Sequence, residues 1–428
     1  MIAFGLFAGF FVLLLLGTPI AVSLGLAGTA AIVSAKLGIL AVPTNVWAGI
    51  AKYPLLTIPM FVLAGTIFDR SGVAGKLVNF ASAIIGRGRG SLGVIAVVVA
   101  MMMGGISGSG PAIAAAVTGV MAPSMLRAGY PRSYIASVVA AAAATDILIP
   151  PSVALIIYSV LVPSAPATAM FAAGIIPGTM AGLALIIPTW LLARKYNLGG
   201  EQSHEARPPF WASFKDAFLG LFAKVLILGG LRFGVFTPTE AAVIAVVYGL
   251  FLGMVVYRTL KLRDVYSMMV EAAEISAIIL TVVGLASVFG WAMSTLSIID
   301  PIASGIVNLG IGQYGVMALL IIMLIIIGTF LDGVSTFIIL LPLLIPIAQT
   351  YHWDLVWFGV ILTLKIAIGQ FTPPMAVNLM VTCRIAGTSI ESTVRWVLWL
   401  MLTMFITLML VVAFPELALW LPRHLGFN

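Results

Sequence analysis

The stretch Gly104-Gly105-Ile106-Ser107-Gly108-Ser109-Gly110-Pro111 lies in the middle of an apolar run that covers residues 92–126. Four glycines, two serines and one proline within eight residues cannot continue a helix. Backbone groups without helical hydrogen bonds are tolerated at membrane depth only where protein or water satisfies them. The run therefore predicts a re-entrant hairpin, in which two helices enter and leave on one side and expose carbonyls and hydroxyls at the tip.

A second apolar run, over residues 313–348, is interrupted in the same manner at residues 328–336, which read Gly-Thr-Phe-Leu-Asp-Gly-Val-Ser-Thr. Its Asp332 is a carboxylate in a hydrophobic segment, where such groups are costly and are candidates for function. The sequence leaves three roles open for it: cation ligand, proton carrier and N-cap of the following helix. This run predicts a second re-entrant hairpin.

Each hairpin is followed by an apolar segment, 133–162 or 356–383, that a Pro-Pro pair interrupts. Neither proline donates a hydrogen bond, so carbonyls about one turn upstream are left free. Asp146 lies four residues before Pro150, where a freed carbonyl and a carboxylate could share one cation. Asn378, after the second pair, offers both a donor and an acceptor to a polar ligand. Both segments are predicted to be broken helices.

The interruptions repeat at a constant distance of 223 residues. This offset relates Gly105 to Gly328, Gly110 to Gly333, Pro123 to Pro346, and Pro150-Pro151 to Pro373-Pro374. Interrupted hydrophobic segments in matching places of two halves are typical of secondary transporters with inverted repeats. The predicted organisation is a first repeat over residues 1–199, a polar linker over 200–216 and a second repeat over 217–428. Shorter breaks are expected at residues 17–19 and 236–238, each of which ends in Thr-Pro.

The composition excludes a soluble globular protein, because 62% of the 428 residues are hydrophobic and 8% are charged, whereas soluble domains carry roughly 25% charged residues. The predicted class is an all-α integral membrane protein embedded in a lipid bilayer. A single cysteine, Cys383, excludes a disulfide framework. No histidine lies in an apolar run, so neither a His-based metal site nor an enzyme is predicted. The basic residues are scattered, so their excess does not predict nucleic-acid binding.

The positions of the basic residues predict the topology. If both hairpins are re-entrant, each half crosses the membrane five times, which inverts the second half. With the 127–132 connector in the cytoplasm, 15 of the 21 Lys and Arg residues fall on the cytoplasmic side, as expected for cytoplasmic loops. Both termini then lie outside. Three basic residues, Lys224, Arg232 and Lys365, fall within spans. Snorkelling or pairing between helices is the first interpretation of Arg232 and Lys365; Lys365 could instead attract an anionic substrate.

Two other interpretations of the interruptions compete with this one. Close helix packing through small residues explains a lone pair of glycines, but it does not require two broken hairpins beside two broken helices. An ion channel or passive anion pore is the alternative function. A channel would show a continuous polar stripe along several helices, whereas the polar residues here concentrate at the breaks. The pattern favours a transporter with a binding site at the membrane midplane.

The sequence resembles the DctM-like large membrane subunit of tripartite ATP-independent periplasmic (TRAP) transporters. The matching stretches follow one another over nearly the whole chain: IPMFVLAG at 58–65, GGISGS at 104–109, IPPS at 149–152, FTPTEAA at 236–242, FLDG at 330–333 and TPP at 372–374. The resemblance implies an elevator-type fold related to divalent anion/sodium symporters. It also implies two protein partners, a small four-helix membrane subunit and a soluble periplasmic substrate-binding protein. The implied function is Na⁺-driven import of an organic acid, and the implied location is the bacterial cytoplasmic (inner) membrane, with both termini periplasmic.

Two positions depart from the family pattern. The family often has Gly where this chain has Asp146, and an acidic or polar residue where this chain has Ala367. These departures bear on the ion ligands and on the substrate subclass. A sialic acid-type system is the first expectation for the substrate, with C4-dicarboxylate-like acids beside it.

The expected cofactor is Na⁺, at two sites, with no organic cofactor. The first sodium site is predicted between the first hairpin and the first broken helix, from Ser107, Ser109, Thr145, Asp146 and Ile149. The second is its counterpart in the other half, from Gly328, Asp332, Gly333, Gly369 and Thr372. The substrate is expected between the hairpin tips, in contact with Ser107, Gly108, Ser109, Pro150, Ser335, Thr336 and Asn378.

Overall fold

A computed structural model describes residues 2–86, 88–106, 108–199, 208–328, 333–374 and 376–427. Every regular element in these ranges is helical, which agrees with the predicted all-α class. The α-helices of the first half are α1 (Ile2–Leu15), α2 (Ile20–Ser34), α3 (Ala41–Ile50), α4 (Thr57–Arg70), α5 (Val73–Ile85), α6 (Ser91–Met103), α7 (Gly110–Arg127), α8 (Arg132–Ala143), α9 (Val153–Leu161) and α10 (Ala167–Lys195).

The second half contributes ten further α-helices in the described ranges. They are α11 (Phe210–Arg232), α12 (Pro238–Leu250), α13 (Leu262–Thr295), α14 (Ile299–Val307), α15 (Gly312–Gly328), α16 (Gly333–Thr350), α17 (Leu355–Gly369), α18 (Val377–Ala386), α19 (Ile390–Ala413) and α20 (Glu416–His424). A π-helical turn, Phe251–Val256, extends α12, and 3₁₀ turns occur at Tyr53–Leu56 and Ala144–Ile147.

The two expected Thr-Pro breaks are confirmed. The chain leaves α1 at Leu15 and enters α2 at Ile20, and it leaves α11 at Arg232 and enters α12 at Pro238. Thr237 starts α12 with a capping box: its hydroxyl accepts from the Glu240 N–H at 3.3 Å, and Glu240 Oε2 accepts from the Thr237 N–H at 2.8 Å. Proline follows at the first helical position, where its missing donor costs nothing.

Several helices meet the length and apolarity of a membrane span. In the described residues these are α10, α12 with its π-helical extension, α13 and α19, and the bent pair of α3 and Tyr53–Arg70 adds a fifth if it is counted as one span. Most other apolar helices have 10–17 residues, whereas a full crossing takes about 20. Each of these shorter helices alone is therefore too short for a full crossing.

The broken helices lie at the centre of the molecule. Every residue from Ser133 to Ala143 in α8 is buried, as are the twelve residues from Trp357 to Ile368 in α17. Helix α8 contacts α6, α7 and α18, while α17 contacts α15, α16 and the 3₁₀ turn at Ala144–Ile147. Helices α6–α9 and α15–α18, together with that 3₁₀ turn, are called the central unit below.

Five other helices pack beside the central unit and are called the frame. Helix α13 contacts α2, α3 and α4, and α4 contacts α12. Gly28 lets α2 approach α13 closely, because a Cβ at this position would lie 3.0 Å from the Phe289 backbone nitrogen. The frame meets the central unit where α4 contacts α7 and α9, and where α13 contacts α16.

The segment predicted as a polar linker, 200–216, includes the start of a helix. Helix α11 begins at Phe210, inside that segment. Phe80 of α5 packs against Phe210 and Phe214, with ring centroids 5.8 and 5.6 Å apart, so aromatic packing extends the helix beyond the apolar run. Residues 200–207 lie outside the described residues, and the division into inverted repeats stays a prediction.

Candidate functional site

Asp146 ties the first broken helix to the first hairpin. Its carboxylate is fully buried in the 3₁₀ turn between α8 and α9, and Oδ1 accepts a hydrogen bond of 2.8 Å from the Gly105 N–H. Gly105 follows the end of α6 and has φ +72°, a conformation that favours glycine. The carboxylate thus holds the hairpin end in contact with the break.

Backbone carbonyls converge on the same point. A Cβ on Gly105 would collide with the carbonyl oxygen of Pro150 and would lie 3.0 Å from that of Ile149. Unwound carbonyls and a carboxylate are the oxygen ligands with which broken membrane helices bind Na⁺. The Gly108 backbone also interacts with the Asp146 carboxylate. Its Oδ2 makes no hydrogen bond of normal geometry to the described residues, so it keeps lone pairs for a cation.

A lysine from outside the central unit completes this region. Lys224 of α11 donates from Nζ to the carbonyl oxygen of Met101 at 3.0 Å, and its charge interacts with Asp146. The sequence predicted Lys224 within a span but assigned it no role at the site. Its presence in an apolar segment was a usable signal, although nothing in the sequence paired it with α6.

The second hairpin and second break meet at the repeat-related positions. A Cβ on Gly369, at the end of α17, would lie 2.9 Å from the carbonyl oxygen of Gly328, at the end of α15. Gly369 and Gly328 are 223 residues after Asp146 and Gly105. Lys365 lies one turn before Gly369, and its ammonium group occupies the space into which a Gly328 side chain would project.

Asn378 and Gln370 connect the second break to the first hairpin. Nδ2 of the fully buried Asn378 donates to Gln370 Oε1 at 3.1 Å and to the Ala140 carbonyl oxygen at 3.4 Å. A Cβ on Gly110, the first residue of α7, would lie 2.6 Å from Gln370 Oε1 and 3.0 Å from Asn378 Nδ2. The N-terminus of α7 therefore abuts the polar residues of the opposite half.

A cavity of about 760 Å³ lies where the central unit faces the frame. Its wall includes residues from the first hairpin (Gly108, Ser109, Gly110, Pro111), from the second hairpin (Gly328, Thr336), from the second break (Lys365, Gly369, Gln370, Val377) and from the frame (Thr66, Asp69, Arg70, Glu271). A concave, mainly apolar site of this size with a few convergent polar groups is typical of a small-molecule site.

The frame side of the cavity carries an ion pair. Arg70 of α4 is paired with Glu271 of α13 and donates to the Ser267 hydroxyl at 2.9 Å. Both charged side chains are about half exposed, at 45% and 44%. The pair joins two frame helices beside the cavity.

The structure places the predicted site residues in three groups. Gly108, Ser109, Gly328, Thr336 and Gly369 line the cavity. Thr145, Asp146, Ile149, Pro150, Thr372 and Asn378 are buried outside its wall, at or next to the breaks. Ser107 and Asp332 lie outside the described residues; Gly333 begins α16, and the Ser335 side chain is not among the described ones.

Hydroxyl groups at the two breaks are engaged with their own helices. Thr145 Oγ1 donates to the Ala142 carbonyl oxygen at 2.8 Å, and Thr372 Oγ1 donates to that of Ile368 at 2.6 Å. Each hydroxyl oxygen keeps lone pairs for a cation. The roles of all these residues as ligands stay predictions.

Comparison with known proteins identifies relatives over the whole chain. Residues 7–417 match the family model described as the tripartite ATP-independent periplasmic transporter, DctM component. The chain is 34% identical to the C4-dicarboxylate TRAP transporter large permease protein DctM of Rhodobacter capsulatus, over 100% of this chain and 99% of that protein. It is 33% identical to the sialic acid TRAP transporter large permease protein SiaM of Vibrio cholerae, over 98% of both chains.

A further relative and two solved structures extend the comparison. The isethionate TRAP transporter permease protein DctMQ of Oleidesulfovibrio alaskensis is 35% identical, over 98% of this chain and 66% of that protein. The YdaH transporter of Alcanivorax borkumensis is similar in structure, with a TM-score of 0.60 and 16% identity over 87% of this chain and 88% of that chain. MtrF of Neisseria gonorrhoeae gives a TM-score of 0.54 and 14% identity over 89% and 85%. At these identities the two structures show the fold alone.

Proposed function

The chain belongs to the DctM component family of tripartite ATP-independent periplasmic transporters, and we propose that it is the large membrane subunit of a Na⁺-coupled importer of an organic acid. The observation that carries this proposal is the cavity between the central unit and the frame. Both hairpins and the second break contribute to its wall, as expected for a substrate site in an inverted-repeat transporter.

The proposed ions are two Na⁺. The first binds beside Asp146, with the carbonyl oxygens near Ile149 and Pro150 and the hydroxyl groups of Ser107, Ser109 and Thr145. The second binds at the junction of Gly328 and Gly369, with Asp332, Gly333 and Thr372. The contact of Asp146 with Gly105 and that of Gly369 with Gly328 support this assignment, because each joins a broken helix to its hairpin.

The proposed substrate is an organic acid that binds between the hairpin tips. Relatives of this chain are named for C4-dicarboxylates, sialic acid and isethionate, which all carry a carboxylate or a sulfonate. Of the residues proposed to contact the acid, Gly108, Ser109 and Thr336 line the cavity. Pro150 and Asn378 are buried behind its wall, and Ser107 and Ser335 complete the proposed set. Sialic acid and C4-dicarboxylate-like acids are the first candidates.

The proposed mechanism is an elevator. The central unit would move relative to the frame and carry the cavity from one side of the membrane to the other. Support comes from the packing, since the central unit is continuous through α8 and α17 while the cavity lies at its boundary with α4 and α13. Rigid-body movement of one bundle against another around a binding site is the general form of alternating access.

The proposed setting is the bacterial inner membrane, with both termini in the periplasm. The partners are a small four-helix membrane subunit and a periplasmic binding protein that delivers the acid. Two Na⁺ entering with a monoanion carry one net charge inward, and a potential of 100 mV contributes about 2.3 kcal/mol per charge. This is enough to concentrate the acid by more than tenfold.

Uptake by the reconstituted complex tests the proposal. Proteoliposomes with the chain, its small subunit and the binding protein are given labelled sialic acid, succinate or isethionate, with an inward gradient of Na⁺ or of choline. We expect saturable uptake of one of these acids with Na⁺ only. Equal uptake in choline would refute the coupling, and flux that does not saturate would favour a channel or passive pore.

A further inference from the structure

Lys365 carries a buried charge for which the described residues offer no partner. The residue is 1% exposed, and its Nζ has no hydrogen-bond partner among them. No carboxylate of the described residues lies within ion-pairing distance of it. Its side chain nevertheless contributes to the cavity wall, beside Gly328 and Gly369. A buried ammonium group therefore borders an open space.

An unpaired ammonium in a membrane interior is costly, and it is usually compensated by a partner of opposite charge. The other lysine in this region, Lys224, is compensated by the Met101 carbonyl and by Asp146. In the cavity wall, the Glu271 carboxylate is paired with Arg70. The wall holds a second carboxylate, Asp69, and no ion pair joins it to Lys365. An anion that enters the cavity would supply the missing charge.

Two helix N-termini point to the same kind of ligand. Helix α7 begins at Gly110, and Gly110 and Pro111 line the cavity. Helix α18 begins at Val377, which also lines it. The N-terminus of a helix carries a partial positive charge, and an anion in this cavity would meet both N-termini together with Lys365.

We infer that Lys365 is the counter-ion for the acidic group of the transported substrate, a carboxylate or a sulfonate. This inference rests on the proposed function, in which an organic acid occupies the cavity. It assigns substrate specificity to a residue of α17 for which the sequence favoured snorkelling or pairing between helices over attraction of an anion. The competing assignment is an internal ion pair with Asp332, which lies in the neighbouring hairpin segment and outside the described residues.

Thermal unfolding of the purified complex tests the inference without any ion gradient. The full chain with its small subunit is unfolded in Na⁺ buffer, empty or with isethionate, sialic acid or succinate at increasing concentration. We expect one of these acids to raise the unfolding temperature of the wild type by several degrees. In Lys365→Met the apparent Kd for that acid should rise at least tenfold, whereas Lys365→Arg should keep most of the affinity.

The empty protein gives a second measurement. Lys365→Met removes an uncompensated buried charge but keeps the length of the side chain, so the empty variant should unfold at a higher temperature than the wild type. Lys76→Met is the matched control, because Lys76 is partly exposed, is paired with Asp216 and is not part of the cavity wall. It should leave the affinity for the acid unchanged.

Three results would overturn the inference. One is an unchanged Kd in Lys365→Met, and another is a wild type that responds to none of the three acids. The third is a lower unfolding temperature of the empty protein in both Lys365→Met and Asp332→Asn, which would identify an internal ion pair. Failure of Na⁺-driven uptake while binding persists would instead refute the proposed coupling, so the two proposals fail in different assays.

Discussion

The Asp146 carboxylate accepts a hydrogen bond of 2.8 Å from the backbone N–H of Gly105, which joins the first broken helix to the end of the first hairpin. The positions 223 residues later, Gly369 and Gly328, meet through their backbones, with no carboxylate of the described residues at the junction. Each half thus joins its broken helix to its hairpin at the same pair of positions, and in the first half a carboxylate makes the contact.

Replacing Asp146 with Asn should weaken Na⁺ binding. An amide oxygen can still accept from the Gly105 N–H, but the negative charge is lost. The Na⁺ concentration for half-maximal uptake should rise at least tenfold, which corresponds to about 1.4 kcal/mol. The measurement is uptake in proteoliposomes against external Na⁺, and Asp146→Glu serves as the variant that keeps the charge. An unchanged Na⁺ dependence in Asp146→Asn would remove Asp146 from the first sodium site.

Gly105→Ala should destabilise the protein strongly. The new Cβ would collide with the Pro150 carbonyl oxygen, and Gly105 has φ +72°, so both packing and backbone conformation oppose it. We expect a loss of about 2 kcal/mol or more of unfolding free energy, in the range of severe single substitutions, measured as a lower unfolding temperature in detergent.

Gly119→Ala is the matched control for this substitution. Gly119 lies in α7, and a Cβ there would have no heavy atom within 4 Å. Alanine in a helix interior is favoured over glycine by up to about 1 kcal/mol, so this variant should be as stable as the wild type or slightly more so. Similar unfolding temperatures for both variants would contradict the close approach of Gly105 to Pro150.

The opposite charges of Arg70 and Glu271 should matter more than the free energy that their pairing contributes to stability. Both side chains are about half exposed, and such pairs contribute at most about 1 kcal/mol to stability. Reversing one charge, in Arg70→Glu, places like charges between α4 and α13 beside the cavity and should reduce uptake severalfold. The double variant Arg70→Glu/Glu271→Arg should recover most of it, and failure to recover would show that the pairing is not what matters.

The sequence predicted those features of the fold that local chemistry determines. The helix ends near Pro19, Pro238, Pro150 and Pro373 follow from the missing donor of proline and lie where they were expected. The contact of Asp146 with Gly105 depends on how the first broken helix packs against the first hairpin. The sequence predicted only that these two segments lie at the same site. The sequence offered no rule by which Lys224 would reach Met101, or Asn378 the start of α7, because these contacts join helices from different halves.

The predicted topology can be tested by labelling single cysteines in a Cys383→Ser background, where the buried native thiol is removed. Ser164 is exposed in the connector between α9 and α10, which has no Lys or Arg and is predicted to be periplasmic. Ser203 lies in the polar segment 200–216, which carries Arg207 and Lys215 and is predicted to be cytoplasmic. In intact cells with a permeable outer membrane, a membrane-impermeant maleimide should label Ser164→Cys but not Ser203→Cys.

Permeabilising the inner membrane provides the control for this experiment, since Ser203→Cys should then react as readily as Ser164→Cys. The outcome depends on whether each helix pair is a hairpin. If α6–α7 together formed one single crossing, the connectors before and after the pair would lie on opposite sides of the membrane, and the bias of basic residues toward one face would be lost. Labelling of Ser203→Cys in cells with an intact inner membrane would therefore contradict the cytoplasmic linker and the predicted orientation of the chain.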